Sequence, residues 1–213
     1  SARNLRAEGL PEERIFVTGN TIVDAVRENL DIAASRGDAL RTLGLRRGGY
    51  MLATLHRQEN VDSRERLANV LTGLERAGRE TGLDIVWPMH PRARKNLEAF
   101  GLKLPANVQA VLPLGFLEFL QLEGGTALAL TDSGGVQEEC CILGVPCVTL
   151  RDNTERPETV DVGANMVAGT DPARIAEGAR TMLARKGGWA CPLGESGAGK
   201  RIVGICRERT KQG

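Results

Sequence analysis

The stretch ALALTDSGGVQEECCILGVPCVTL, residues 127–150, decides the fold. It opens on a short apolar run, breaks at Asp132–Ser133–Gly134–Gly135, and closes on a second apolar run after Gly144 and Pro146. Between the breaks, residues 134–143 read as a helix. Uniformly apolar strands joined through a helix belong to a parallel sheet covered on both faces. Gly134 and Gly135 let backbone approach a ligand, and a helix start offers free N–H groups and a positive dipole end. With Ser133 the turn therefore reads as a phosphate or diphosphate cradle. Among Gln137, Glu138 and Glu139 a carboxylate is placed to accept hydrogen bonds from ribose hydroxyls. An ordinary capped helix start has the same pattern.

Working outward, the strand–helix alternation repeats. YMLATL (50–55), DIVWPM (84–89) and NVQAVL (107–112) read as further strands. Leu67, Val70, Leu71 and Leu74 recur at helical spacing, with Asp62 as cap and Glu65 in capping-box position. Helices are also expected around 92–100, over FLEFLQL (116–122), after Asp171 with Pro172 at its first position, and around 198–209. Gly124 and Gly125 are expected to end the 116–122 helix early. The fold class is α/β, a doubly wound, Rossmann-like parallel sheet over residues 42–213. Residues 1–41 read as a separate piece, with one strand (RIFVTGN, 14–20) and one helix (21–34). SRGDALRTLGLRRGG, 35–49, reads as a linker.

Composition limits the functions. The chain has 213 residues, enough for one large domain or one domain plus a piece. Lys plus Arg number 28 and Asp plus Glu 27, so no global charge serves a polyanion. Aromatic residues are 3%, too few for a stacking platform on single-stranded nucleic acid. No apolar run approaches the ~18 residues of a membrane span, and SARNLRAEGLPEER has no apolar segment of a signal peptide. These readings point to the cytoplasm, with no nucleic acid and no membrane as partner. Cys140, Cys141, Cys147, Cys191 and Cys206 form no CxxC pair and read as buried free thiols, with no metal site.

Ligands of open α/β sheets bind beyond the carboxyl ends of the strands. Both histidines fall there. His56 and Arg57 follow the 50–55 strand, where a histidine can protonate or neutralise a leaving phosphate. His90 follows the 84–89 strand and also suits a helix cap. RDNTERPE, 151–158, brings Arg156 as a phosphate clamp and Glu158 as a partner for a sugar hydroxyl. GESGAGKR, 194–201, nearly spells a P-loop, but Arg201 stands where Ser or Thr should hold magnesium. A turn before the last helix is the better reading.

VTGNTIVDAV (17–26), TLHRQENVD (54–62), PMHPRARKNL (88–97), PLGFLEFL (113–120) and the block 131–165 occur in order. Together they strongly resemble the non-hydrolysing UDP-N-acetylglucosamine 2-epimerases. The resemblance implies the C-terminal, UDP-binding half of a GT-B-type two-domain fold. It makes residues 1–41 the edge of an N-terminal domain that this chain lacks. It further implies elimination of UDP to a 2-acetamidoglucal and re-addition, with no metal or redox cofactor, in a homodimer when full length. By resemblance, Ser133, Gly134, Gly135 and Arg156 bind the diphosphate, Glu139 the ribose and Phe119 lies near the uracil. His56 is the catalytic histidine, assisting the UDP leaving group. Arg57 and His90 match a regulatory site for a second nucleotide sugar. Gln58 departs from a common arginine, and Cys140–Cys141 from a common Ala-Pro pair. Other readings are an epimerase for a related UDP-diacetamido-uronic acid, a GT-B glycosyltransferase, against which the HRQEN and NTERPE blocks argue, and a non-catalytic UDP-binding module.

Overall fold

A computed structural model describes residues 2–185 and 187–211. Ser1, Lys186, Gln212 and Gly213 lie outside the described residues, although the expected units 1–41 and 42–213 include them. Six strands form one parallel sheet: β1 (Tyr50–Thr54), β2 (Asp84–Pro88), β3 (Val108–Val111), β4 (Leu128–Thr131), β5 (Cys147–Thr149) and β6 (Asn165–Val167). Their order is β3-β2-β1-β4-β5-β6, the doubly wound order expected of a Rossmann-like domain. The chain direction along the sheet reverses between β1 and β4, where Thr54 pairs with Thr131.

The N-terminal segment carries α1 (Ala2–Ala7), a 3-10 turn (Glu12–Arg14), α2 (Thr21–Ser35) and α3 (Ala39–Thr42). After β1 follow α4 (Gln58–Val61), α5 (Arg64–Thr81), α6 (Pro91–Ala99) and α7 (Phe116–Gly125). Then come α8 (Gly134–Leu143), α9 (Pro157–Asp161), α10 (Pro172–Leu183) and α11 (Ala198–Thr210). Side chains alternate along β1. Met51 and Ala53 join the core under α5 and α10. Tyr50 and Leu52 face the opposite core, which includes Leu40 of α3 and Leu122 of α7.

Several sequence expectations change. RIFVTGN forms no strand: Arg14 closes the 3-10 turn, and residues 15–20 belong to no sheet. Its backbone is held instead by the chain around α11: Asn20 N donates to Leu193 O (3.1 Å) and Arg201 Nε to Thr18 O (2.9 Å). Helix α5 is capped by Ser63, whose Oγ accepts the Arg66 amide at 3.3 Å, one residue later than expected. Asp62 turns away to pair with Arg92 of α6. Helix α7 does not end early; it runs through Gly124 to Gly125. A Cβ on Gly125 would lie 2.7 Å from Leu40 Cδ2 and 3.1 Å from the Tyr50 hydroxyl, so close packing outweighs its propensity cost. The 35–49 segment is not a plain linker, because α3 lies within it and buries Leu40. The sixth strand and helices α4 and α9 are too short, at three to five residues, to show a period. Cys140, Cys141 and Cys147 are buried free thiols as expected, but Cys191 is half-buried and Cys206 exposed.

Gly73 sits where α5 meets α10. A Cβ there would lie 2.6 Å from Ile175 Cδ1 and 2.9 Å from its Cβ. The β-branched isoleucine has little rotamer freedom to yield. Gly73→Ala gains about 1 kcal/mol of helix propensity but overpacks at a cost of ~1–3 kcal/mol. The expected result is a net loss of stability in urea unfolding, made smaller when combined with Ile175→Val. An unchanged or raised midpoint would refute this tight crossing.

Candidate active site at the strand ends

The β1–β4 register decides what meets at the sheet edge. Two residues past Thr54 comes His56; one residue past Thr131 comes Asp132. The Thr54 and Thr131 hydroxyls meet at 2.5 Å. His56 Nδ1 lies 2.9 Å from Asp132 Oδ1, with half of the imidazole exposed and the carboxylate fully buried. Asp132 also accepts the amides of His56 and Arg57 and the side-chain amide of Asn60, at 3.0–3.2 Å.

His56, His90, Phe119 and Ser133 line one cavity of about 210 Å³, floored by Thr54, Pro88 and Leu114. His90 is also the cap of α6, its Nδ1 accepting the Arg92 amide at 3.2 Å. The cap leaves its other ring nitrogen uncommitted among the described residues. Ser133 caps α8, its Oγ accepting the Val136 amide at 3.5 Å. The first intrahelical bond runs from Gln137 N to Ser133 O, so the amides of Gly134 and Gly135 lie ahead of it. A Cβ on Gly134 would lie 3.9 Å from the Arg156 guanidinium carbon, which places that cation beside the helix start.

The two arginines of the 151–158 loop take different parts. Arg151 is buried and bound by Glu59 (3.0 Å) and Glu155 (2.7 Å). Its hydrogen bonds hold the Glu155 carboxyl down to about 2. Arg156 is a third exposed, and its Nε lies 2.9 Å from Glu138 Oε1 without hydrogen-bond alignment. Glu138 accepts in turn from Asn20 Nδ2, the cap residue of α2, at 2.8 Å. A buried network fixes the loop: Thr154 Oγ1 donates to Gln137 Oε1 (2.5 Å), and Asn165 Nδ2 reaches Gln137 and Thr159 (3.2 Å each). Arg57 extends toward Glu155 at 4.0 Å.

Two expected residues do not line the His56 cavity itself. Glu158 lines a groove along residues 15–21 rather than the His56 cavity. Glu139 faces α7, where Glu123 lies fully buried. The P-loop-like turn at 194–201 is filled from within. Asp24 accepts the amides of Gly197 (2.5 Å) and Gly199 (2.9 Å), and these bonds lower its pKa. The sequence shows Asp132 only as part of the turn after the 127–131 strand, and it gives no role to Asn60, Asn20 or Asn165, which meet Asp132, Glu138 and Gln137 from far along the chain. Asp132 lies beside the glycine turn, the one signal that could have marked it.

Sheet order, switch-point cavity and glycine-opened helix start define a Rossmann-like domain of the GT-B type. The family model for UDP-N-acetylglucosamine 2-epimerase matches residues 1–207, and the chain belongs to that family. The UDP-N-acetylglucosamine 2-epimerase of Methanocaldococcus jannaschii is 48% identical over 95% of this chain and 57% of its own length. That of Methanococcus maripaludis is 44% identical over 96% of the chain and 58% of its own length. The crystal structure of the Methanocaldococcus jannaschii enzyme with UDP-GlcNAc and UDP superposes with a TM-score of 0.89 at 46% identity, covering 97% of this chain and 58% of that one. The Neisseria meningitidis enzyme bound to UDP-GlcNAc gives 0.83 at 31% identity over 97% and 59%. The chain thus spans little more than half the length of these relatives.

Glu123 supplies a pH test of this region. Burial, then the neighbouring Cys140 and Glu139, push its pKa well up, and its oxygens lack aligned hydrogen-bond partners. Burial also raises Glu139. Folded-state values above the unfolded value mean that the folded protein holds extra protons. That stability is present below the ordinary carboxylate value of 4.5 and is lost as pH rises through the raised values. Glu123→Gln removes a buried carboxyl that lacks aligned partners and costs stability as pH rises, and is expected to stabilise at neutral pH by ~1–3 kcal/mol. Urea unfolding of both proteins across mildly acidic to neutral pH should show a shallower decline in the variant. Parallel declines would exclude Glu123 as the source.

Proposed function

We propose that this chain is the nucleotide-binding half of a UDP-N-acetylglucosamine 2-epimerase, which interconverts UDP-N-acetylglucosamine and UDP-N-acetylmannosamine. The observation that carries the reading is the convergence at one switch point of His56, the open start of α8 and Arg156, each suited to a departing diphosphate. Elimination of UDP places negative charge on the diphosphate as the bond from the anomeric carbon breaks. Fixed N–H dipoles and a guanidinium aimed at that charge stabilise it without reorganising. In this reading Ser133, Gly134, Gly135 and Arg156 hold the diphosphate, Phe119 borders the uracil and Glu139 takes the ribose hydroxyls. His56 donates a hydrogen bond or proton to the leaving oxygen and takes it back on re-addition. Arg57 and His90 form part of a second nucleotide-sugar site. No residue of this chain is assigned to the carbon 2 proton.

We assign residues 42–213 to the nucleotide domain and 1–41 to the edge of a second domain. Phe16 and Val17 support the latter: they lie in a segment with no sheet partner and are 47% and 78% exposed. The working enzyme is a homodimer of longer chains that acts in the cytoplasm. Five free thiols suit a reducing compartment, and no helix among the described residues is long and apolar enough to cross a membrane. The 48% and 44% relatives favour UDP-N-acetylglucosamine. A UDP-2,3-diacetamido-2,3-dideoxy-D-glucuronate 2-epimerase of Pseudomonas aeruginosa, 39% identical over 85% of the chain and 50% of its own length, marks the second reading.

Calorimetry with UDP tests the site. The chain should bind UDP, and Arg156→Ala and Glu139→Ala should each weaken binding about 10–100-fold, as loss of a charged hydrogen bond does. Unchanged affinity in both variants would remove the assignment. Incubation of the chain with UDP-N-acetylglucosamine should yield no UDP-N-acetylmannosamine; turnover by the chain alone would refute the half-enzyme reading.

A further inference from the structure

His56 has two ring nitrogens, and the geometry determines which carries the proton. Every polar group around Asp132 is a donor. They are the amides of His56 and Arg57, Asn60 Nδ2 and, at 2.9 Å, His56 Nδ1. An ionised carboxylate only accepts, so the imidazole nitrogen facing it must bear hydrogen. The carboxylate has no route to another arrangement. It is fully buried, and three of its donors are fixed by the backbone or by a side chain that is itself anchored. That anchor is Asn60, whose Nδ2 also donates to Leu150 O (2.9 Å) and whose Oδ1 accepts from Arg66 Nε (3.1 Å).

We propose that Asp132 is the positioning residue for His56. It locks the imidazole in the Nδ1–H form and leaves Nε2 on the open side of the ring, toward the cavity shared with Ser133 and Phe119. Asp132 touches no ligand in this arrangement; it acts through His56. The contrast with His90 is built into the same cavity. There Nδ1 accepts the Arg92 amide, so the neutral ring carries its proton on Nε2. With neutral rings the cavity thus receives a bare nitrogen from His56, which must take up a proton as imidazolium before it can donate one to a leaving oxygen, and an N–H from His90, able only to donate. The chemical use of the His56 nitrogen, exchanging a proton with the oxygen of a departing diphosphate, rests on the epimerase reading. The tautomer does not.

The two histidines are the only ones in the chain, which makes the test direct. Nitrogen NMR of chain labelled at histidine, at a pH where the rings are neutral, reports each tautomer, and His56→Gln assigns the signals. His56 is expected as Nδ1–H and His90 as Nε2–H. In Asp132→Asn the single remaining oxygen is claimed by the backbone amides and the NH2 group faces the ring, so His56 should switch to Nε2–H while His90 stays unchanged. Loss of the correct tautomer is what such an exchange does where a carboxylate orients a catalytic histidine. An Nε2–H signal from His56 in the unaltered chain overturns the proposal, and so does an Nδ1–H signal that survives in Asp132→Asn. If that variant does not fold, the spectrum of the unaltered chain decides alone. Added UDP should move the His56 Nε2 resonance and keep the tautomer. A tautomer as expected with no response to UDP would refute the epimerase reading and leave Asp132 in its role.

Discussion

The parallel pairing of β1 with β4 is the constraint on which the rest of this structure depends. It brings Thr54 level with Thr131, and the residues just beyond both strands must share one edge. Asp132 then has nowhere to go but under the turn that carries His56 and Arg57. Its buried charge is acceptable only because four donor groups converge on it. The same pairing sends the next strands outward in opposite directions, which opens the crevice at the switch point. Geometry of the sheet and chemistry of the cavity are consequences of one register.

Around that crevice, buried polar groups do the fixing and exposed ones are left for ligand. Arg151 is consumed by Glu59 and Glu155, and Gln137, Thr154, Thr159 and Asn165 bond one another. The loop these bonds hold presents Arg156 beside Gly134. Arg156 spends one hydrogen bond on the Glu155 carbonyl (3.1 Å) and has a poorly aligned neighbour in Glu138, so its guanidinium retains donors for an anion. Through Asn20, Glu138 also ties the start of α2 to the site. Residues early in the chain are therefore connected to Arg156 by a single carboxylate.

The long elements were legible because their periods were long enough to read. The 127–150 stretch, the α5 stripe of Leu67, Val70, Leu71 and Leu74, and Pro172 after Asp171 all correspond to real elements. The failures have local causes. RIFVTGN has strand composition, but a strand needs a neighbour to bond, and here the Thr18 carbonyl accepts from Arg201 of α11 while the Asn20 amide donates to Leu193 instead. Asp62 and Ser63 were both competent caps; the presence of Arg92 across the loop decided between them. Gly124 and Gly125 weaken a helix in isolation, yet α7 crosses so near Leu40 and Tyr50 that a larger residue would not fit at Gly125.

What the sequence by itself determined is the order of the first five sheet strands and the longer helices between them, the glycine-opened helix start after β4, and the residue types gathered at strand ends. These follow from periodicity and from the steric permission of glycine, which are local properties. Only the tertiary structure decided which polar residues spend their charge on the protein and which keep it. Arg151 and Arg156 look alike in sequence, as do Glu138 and Glu139, and Asp24 lies far along the chain from the glycine turn it fills. Pairing of that kind is set by distance in space, across more than a hundred residues for Asn20 with Glu138 and for Asp24 with Gly199. No local pattern carries that information.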